Sequence, residues 1–257
     1  MTIVFYGSCQ LEAIAKMLKF DKNIPTLVIL NWKYILQKKE LPESLYKCDI
    51  FIYQPYTNGH IDNKDYFTST ILEKLPKHVK TISIPFIASN IYWPDAFLDN
   101  RNDNTKTDQL QFGKFPQQSC ILSKYNTSEE VFSKEHYSPD FLSIHEQNCY
   151  AKIANIEKEC DIKILDFIKQ NIHKHIFHSI QHPNNSILLH SALQIQSLLK
   201  VNIVIIDYEL LKDHTVFILP DVKKHFNINT SYYKLNGNGI VDEKVYVERY
   251  IQYITSK

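Results

Sequence analysis

Residues 2–18 read TIVFYGSCQLEAIAKML, and their pattern is the main sequence evidence for the fold. Its first part, Thr2–Tyr6, is a β-branched and aromatic run that stops at Gly7, which is typical of a buried strand. After Gly7 the apolar residues recur at helical spacing, so a helix is predicted to begin near Cys9. The stretch therefore predicts a strand, a tight turn permitted by Gly7, and a helix.

The same alternation continues along the first 98 residues. Short apolar runs that end at turn residues alternate with helical patterns, and this alternation is typical of βαβ units in a parallel sheet. We therefore predict an α/β fold with an open, mainly parallel sheet and helices on both faces. The further predicted strands are Thr26–Leu30, Asp49–Tyr53 and Val79–Ile84, and the further predicted helices are Leu41–Lys47 and Asp65–Leu75.

The rest of the chain has a different character. Residues 99–127 are polar and without a period, which predicts a loop or an insertion. Residues 128–257 are mainly helical, with a helix predicted over Asn185–Lys200 and an aromatic-faced helix over Val241–Ile254. Val201–Tyr208 fits a strand or a buried helical segment. We expect residues 1–98 and 128–257 to complete one site within one composite domain.

Composition excludes several classes of protein. The chain has 257 residues with 29 Lys and Arg against 28 Asp and Glu, so no basic surface indicates a nucleic-acid partner. The first ten residues lack the features of a secretory signal, and no apolar run approaches the roughly 20 residues that span a bilayer. We expect a cytoplasmic protein without a transmembrane segment.

The cysteines of the chain are also those expected of a cytoplasmic protein. The five cysteines are an odd number with no C-x-x-C pair, which argues against a disulfide framework and against a structural zinc site. Each is then either a small buried apolar residue or a reactive thiol. They are Cys9, Cys48, Cys120, Cys149 and Cys160.

The tetrapeptide Gly7-Ser8-Cys9-Gln10 is the first candidate site. It follows the first strand, and ligands of open α/β sheets bind outside the carboxyl ends of strands. Ser8 suits a helix N-cap, and Cys9 would lie in the first turn, where unpaired N–H groups lower a thiol pKa and can hold an oxyanion. The alternative is structural: Gly7 ends the strand, Ser8 caps the helix and Cys9 packs under the sheet edge.

The second candidate site is Phe177–Asn184, which reads FHSIQHPN. A neutral histidine can serve as general base toward a thiol or hydroxyl, and His182 and His178 both qualify. The alternatives are that the histidines bind a metal ion or that they are simply polar residues in contact with solvent. Metal binding is disfavoured because His-x-x-x-His is ligand spacing on a helix, and Pro183 argues against one.

These motifs together resemble a known family. The Gly7–Gln10 turn, the stretch from Ile84-Pro85-Phe86 to Tyr92-Trp93-Pro94-Asp95, and the segment Phe177–Asn184 are similar to motifs of the WcbI-type polysaccharide biosynthesis proteins of bacterial capsule clusters. Ser8 replaces the asparagine that is usual in the first motif of the family. The resemblance implies coenzyme A binding and acetyl transfer, with acetyl-coenzyme A as the donor.

The resemblance also implies a remote likeness to SGNH-type esterases and thus an SGNH- or flavodoxin-like sheet. By that analogy Cys9 occupies the nucleophile position and His182 the position of the base. SGNH enzymes have an aspartate three residues before the histidine, where this chain has Ser179. A Cys–His dyad remains chemically coherent because a thiol loses its proton far more easily than a hydroxyl.

Further polar and aromatic residues are candidates for oxyanion or substrate binding. Gln54 ends the third predicted strand beside the same sheet edge. The aromatic pair after the fourth strand, with its polar neighbours, suits a sugar or an adenine ring, and the alternative is a core loop. The complete set of binding candidates is Gly7, Ser8, Gln10, Gln54, Asn90, Tyr92, Trp93, Asp95 and Asn184.

Three functions remain open from the sequence. The first is a coenzyme A-dependent acyltransferase, with acetyl as the expected group, acting on a sugar hydroxyl of a capsular or surface polysaccharide or its precursor. The second is an SGNH-like glycan esterase, and the third is a non-catalytic protein of polysaccharide assembly. A glycosyltransferase is weaker, because Asp99–Asp103 fits a solvated loop better than a metal-binding D-x-D motif.

Overall fold

The computed structural model describes residues 1–57, 63–98, 117–119, 122–200, 203–207, 211, 215–235 and 239–255. These residues form two compact units. The first contains Met1–Ile87, Ala154–Phe167 and Asn185–Glu209, and the second contains Ala88–Ile153, Ile168–Asn184 and Leu210–Lys257. The predicted Asp99–Asp103 loop and Cys120 lie outside the described residues, as does most of the segment 99–127.

The first unit is built on a parallel sheet of four strands, which are β1 (Ile3–Gly7), β3 (Thr26–Leu30), β4 (Ile50–Tyr53) and β5 (Lys80–Ser83) in the numbering along the chain. Their order across the sheet is β3-β1-β4-β5. The prediction of an α/β fold is therefore confirmed. The neighbours of β1 are β3 on one side and β4 on the other, so the chain reverses its direction of winding at β1. Such a reversal is where open α/β sheets bind ligands.

The sheet of the first unit is buried on both faces, as parallel sheets usually are. All five residues of β1 are buried, and so are the first three of β4. One face packs a cluster that includes Val4, Tyr6 and Phe51. The helices of this unit include α1 (Cys9–Met17), α2 (Asn31–Gln37), α3 (Thr68–Lys74) and α7 (Asn185–Leu199), and α1 packs against α7.

Short elements complete the first unit. The strand β2 (Leu18–Lys19) pairs with β10 (Val204–Ile205), so part of the ambiguous segment Val201–Tyr208 is a strand. The predicted helices Leu41–Lys47 and Asp65–Leu75 are partly wrong in type. A 3-10 helix covers Glu43–Lys47, and a second one over Lys64–Tyr66 precedes α3.

The second unit contains α4 (Ser128–Phe132), α8 (Pro220–Phe226) and α9 (Glu243–Thr255), together with three antiparallel pairs of strands. Most of α5 (Pro139–Glu157) and most of α6 (Leu165–Asn171) also belong to this unit, and 3-10 helices cover Leu122–Lys124 and Ile172–Lys174. The strand pairs are β6 (Ala96–Leu98) with β7 (Gln117–Ser119), β8 (Phe177–Ser179) with β9 (His182–Pro183), and β11 (Tyr232–Leu235) with β12 (Gly239–Asp242).

Aromatic side chains dominate the core of the second unit. Phe217 contacts Tyr233 and Tyr246 with ring centroids 5.4 and 6.1 Å away. Tyr246 lies on the buried face of α9, as the predicted aromatic face requires. Among the described helices, none is long and apolar enough to cross a membrane.

Candidate functional site

The turn between β1 and α1 has the predicted arrangement. Ser8 is the N-cap of α1, since its Oγ accepts a hydrogen bond of 3.3 Å from the backbone N–H of Gln10. The carbonyl of Ser8 accepts from the N–H groups of Leu11 and Glu12, which closes the first turn. Cys9 is therefore the first residue of the helix, at the carboxyl end of the strand where the sheet reverses.

Two buried amide side chains hold this turn in place. Oε1 of Gln54 accepts from the backbone N–H of Ser8 at 2.8 Å and from its Oγ–H at 2.7 Å. Nε2 of Gln54 donates to Oε1 of Gln10 at 3.1 Å, and the Gln10 amide also bonds both backbone polar groups of Ile87. The backbone N–H of Gln54 donates to the carbonyl of Tyr6. Gln54 and Gln10 thus tie together the segments that follow three neighbouring strands, β1, β4 and β5.

Gly7 is required for a reason other than the one predicted from the sequence. Among the described glycines only Gly239 has a positive φ, so Gly7 does not provide an unusual backbone conformation. Instead, a Cβ at position 7 would lie 2.7 Å from Oε1 of Gln54 and 3.0 Å from Cδ2 of Leu11. The absence of a side chain lets the Gln54 amide approach the backbone of the turn.

The predicted lowering of the Cys9 pKa is wrong. Burial raises the pKa of the Cys9 thiol above its ordinary value, and the nearby Glu12 carboxylate also raises it. The N–H groups of Cys9 and Gln10 act in the opposite direction but have a smaller effect. The helix N-terminus therefore favours the thiolate, as predicted, while partial burial of the side chain outweighs it.

A cavity of about 570 Å³ opens beside Ser8, and every residue of its described lining belongs to the first unit. Its volume is in the range of small-molecule sites. Its described lining combines aromatic rings with neutral polar groups, and none of these residues is charged. They are Ser8, Asn31, Trp32, Gln54, Pro55, Tyr56, Thr57 and Phe86.

Two residues of this lining, Asn31 and Trp32, are not among the binding candidates predicted from the sequence. They begin α2 directly after β3, whose carboxyl end lies beside that of β1, because Gly7 pairs in register with Leu30. The signal was present, since polar and aromatic residues immediately after a parallel strand reach the ligand-binding edge of the sheet.

The two candidate histidines lie in the second unit, on β8 and β9. Ser179 of β8 pairs in register with His182 of β9, across a two-residue turn. The turn is fixed because the carbonyl of Ile180 accepts from the N–H of Ser89, and the carbonyl of His178 accepts from the N–H of Val216. His178 and His182 are half-buried.

Asn184 closes this pair of strands. Its backbone N–H donates to the carbonyl of Ile176 at 2.7 Å, and its Nδ2 donates to the carbonyl of His175 at 3.4 Å. The helix α7 begins at the next residue, Asn185, as predicted.

The aromatic pair Tyr92-Trp93 lies in the core of the second unit. Each residue is 1% exposed. The Tyr92 hydroxyl donates to the carbonyl of Ile172, and Nε1 of Trp93 donates to the carbonyl of Phe217 at 2.9 Å. Neither ring has a face to offer a ligand, so the core alternative describes both of them.

Of the polar neighbours of this pair, Asn90 contacts His145 and Cys149, and Asp95 is half-buried. The carbonyl of Asn90 contacts Nε2 of His145 at 3.1 Å, and its Oδ1 accepts from the Cys149 thiol at 3.5 Å. Asp95 is partly accessible to solvent. Within the described residues, no group of three or more acidic, histidine or cysteine side chains is arranged to hold a metal ion.

Comparisons with known proteins give one family and one similar structure. The family described as polysaccharide biosynthesis enzyme WcbI matches residues 2–203. A solved structure described as WcbI, a novel polysaccharide biosynthesis enzyme, is 15% identical with a TM-score of 0.73, and the match covers 100% of this chain and 90% of that one. Its description specifies the native protein without a disulfide bond between coenzyme A and a cysteine of that protein. No curated protein matches the chain. Because the family match extends over most of the sequence, the chain belongs to the WcbI family of polysaccharide biosynthesis enzymes.

Proposed function

We propose that this protein is a cytoplasmic O-acyltransferase that moves an acetyl group from coenzyme A to a sugar hydroxyl of a capsular or other surface polysaccharide, or of its precursor. The observation that carries the proposal is the position of Cys9. It is the first residue of a helix at the carboxyl edge of the sheet, and it directly follows Ser8, which lines a cavity of about 570 Å³, in a chain of the WcbI family. The description of the similar structure connects coenzyme A with a cysteine.

The residues around Cys9 fit the thiol end of coenzyme A. The cavity offers apolar rings and neutral hydrogen-bonding groups, which suit the uncharged arm that carries the thiol. Ser8 and Cys9 would hold that end. The phosphate groups need cations outside the described lining of this cavity, because none of those residues is basic.

Acetyl-coenzyme A supplies an activated thioester. The chain supplies a rigid turn, since the Gln54 amide fixes Ser8 through two hydrogen bonds. The N–H groups of Cys9 and Gln10 stabilise negative charge at Sγ of Cys9. Because burial keeps Sγ protonated at neutral pH, a role as nucleophile requires a base to take its proton. That base stays a prediction from the resemblance, with His182 first and His178 as the alternative.

The experiment follows acetyl transfer directly. Purified protein is incubated with acetyl-coenzyme A and with the capsular polysaccharide of the producing organism after removal of its O-acetyl groups by mild base. We expect release of free coenzyme A that depends on the polysaccharide, with matching O-acetyl signals in its proton NMR spectrum. Cys9→Ala should abolish both.

Cys48→Ala is the matched control. Cys48 is in the same unit and is 1% exposed, so its loss should leave transfer intact. Release of coenzyme A at the same rate without polysaccharide would indicate a hydrolase instead. No release and no acetylation would contradict the proposal.

A further inference from the structure

One aromatic side chain beside the cavity is unusually accessible. Trp32 is 45% exposed, whereas the other tryptophan of the chain, Trp93, is 1% exposed. A tryptophan buries a large apolar area when it packs in a core, so its exposure beside a cavity indicates a surface that a ligand covers. Lys33 places its ammonium 5.4 Å from the centroid of the Trp32 ring.

The polar groups that line the cavity next to Trp32 are neutral, and the ammonium of Lys33 lies outside this lining. Oδ1 of Asn31 accepts from the backbone N–H of Trp32 at 2.7 Å, which leaves Nδ2 as the donor of that side chain. On the other side, the backbone N–H of Tyr56 donates to Oγ1 of Thr68 at 3.1 Å. Thr57 adds a hydroxyl to the lining.

This combination has the chemistry of a carbohydrate site. The face of an indole ring is electron-rich and attracts the C–H groups on one side of a sugar ring, while amides and hydroxyls bond its hydroxyl groups. A phosphate-bearing nucleotide would instead require several cationic side chains, whereas the described lining has none and Lys33 lies against the Trp32 ring outside that lining.

We infer that the part of this cavity around Trp32 binds a sugar ring of the acceptor, with the ring stacked on Trp32 and a sugar hydroxyl accepting from Nδ2 of Asn31, while the part next to Ser8 takes the thiol end of coenzyme A. The inference rests on the proposed function and assigns the acceptor subsite to it. Because Ser8 lines the same cavity, a sugar bound there lies next to the turn that carries Cys9.

Tryptophan fluorescence tests the inference, because the two tryptophans differ so strongly in exposure. Acrylamide should quench Trp32 and leave Trp93 nearly unaffected. The probes are the methyl glycosides of glucose, galactose, mannose and N-acetylglucosamine, each titrated to hundreds of millimolar. We expect at least one glycoside to protect Trp32 from quenching in a saturable manner, with a Kd in the millimolar range expected for a single sugar ring.

Variants separate stacking from general surface effects. Trp32→Ala should abolish the saturation-transfer NMR signal of the protecting glycoside and raise the KM for the polysaccharide at least tenfold, without changing the KM for acetyl-coenzyme A. Leu36→Ala is the matched control, because Leu36 is an apolar residue of the same helix that is 75% exposed. It should leave both quantities unchanged.

Three outcomes would overturn the inference. Protection by coenzyme A but by no glycoside would assign the ring to the cofactor. Protection that depends on protein concentration alone would assign it to a second copy of the chain, and no protection by any probe would leave no sugar subsite. Coenzyme A binding is measured separately by thermal shift, so its absence would refute the proposed function whatever Trp32 does.

Discussion

Replacing Gly7 with alanine should damage the candidate site through a single contact. The new Cβ would lie 2.7 Å from Oε1 of Gln54, 3.0 Å from Cδ2 of Leu11 and 3.2 Å from Cβ of Gln54. Carbon and oxygen atoms do not approach this closely without repulsion, so the Gln54 amide must move. When it moves, Ser8 loses the hydrogen bonds of 2.8 and 2.7 Å that fix the turn.

The cost can be worked out from these contacts. Overpacking of a buried site costs about 1–3 kcal/mol, and each lost hydrogen bond about 0.5–1.5 kcal/mol. Alanine also reduces the entropy of the unfolded chain, which returns up to about 1 kcal/mol. Overpacking and two lost hydrogen bonds together cost about 2–6 kcal/mol, so we expect Gly7→Ala to lower the free energy of unfolding by about 1–6 kcal/mol. The upper end of this range is a large part of the roughly 5–15 kcal/mol that stabilises a typical protein.

A double-mutant cycle identifies the contact responsible. Gln54→Ala removes Oε1, so Gly7→Ala should cost at least about 1.5 kcal/mol less in the Gln54→Ala background than in the wild type. Urea unfolding followed by far-UV circular dichroism gives the four free energies. Effects that add within about 0.5 kcal/mol would refute the reasoning, because Gly7 would then not act through Gln54.

The remaining predictions concern titration and the core. Burial, with His178 and Lys223 nearby, lowers the pKa of His175 to about 3. As pH drops, this histidine therefore binds a proton in the unfolded chain before it does so in the folded protein. The free energy of unfolding should fall between about pH 6.5 and pH 3, by at most about 1.4 kcal/mol per pH unit. In urea titrations, His175→Asn should remove this component of the pH dependence. Iodoacetamide alkylation of Cys9 followed against pH should have its midpoint above the ordinary cysteine value, and a midpoint below it would contradict the dominance of burial. Tyr92→Phe should cost about 1–3 kcal/mol of stability, because the carbonyl of Ile172 loses its donor, and a neutral effect would argue against a core role.

The sheet was predictable because its strands carry local signals. The apolar run before Gly7 and the run Thr26–Leu30 each end at a recognisable break, and the strands agree with prediction to within a residue. The helix α2 was missed because it has only seven residues and starts at the residue directly after β3, with no loop between the two elements. Its exposed Leu36 and Trp32 also disrupt the apolar stripe that helical periodicity depends on.

The candidate site was predictable only where local effects decide. Ser8 caps its helix through a contact two residues away, which a sequence pattern can reveal. The role of Gly7 depends on Gln54, which is distant in sequence, and the Cys9 pKa depends on burial, which sequence does not determine. The aromatic pair Tyr92-Trp93 fits a core or a ligand site equally well until its exposure is known.

If Cys9 lies where the thiol of coenzyme A binds, as the proposed function requires, thiol–disulfide exchange at Cys9 should be selective for coenzyme A. Coenzyme A disulfide is added to the protein, and attack by the Cys9 thiolate would give a Cys9–coenzyme A mixed disulfide and release one coenzyme A thiol. Hydroxyethyl disulfide provides the rate of an unbound reagent. We expect one adduct per chain, which maps to Cys9 and is absent in Cys9→Ala. Coenzyme A disulfide should form it much faster than hydroxyethyl disulfide does, and only its rate should saturate with concentration. Equal rates with both reagents, or an adduct that maps to another cysteine, would contradict it.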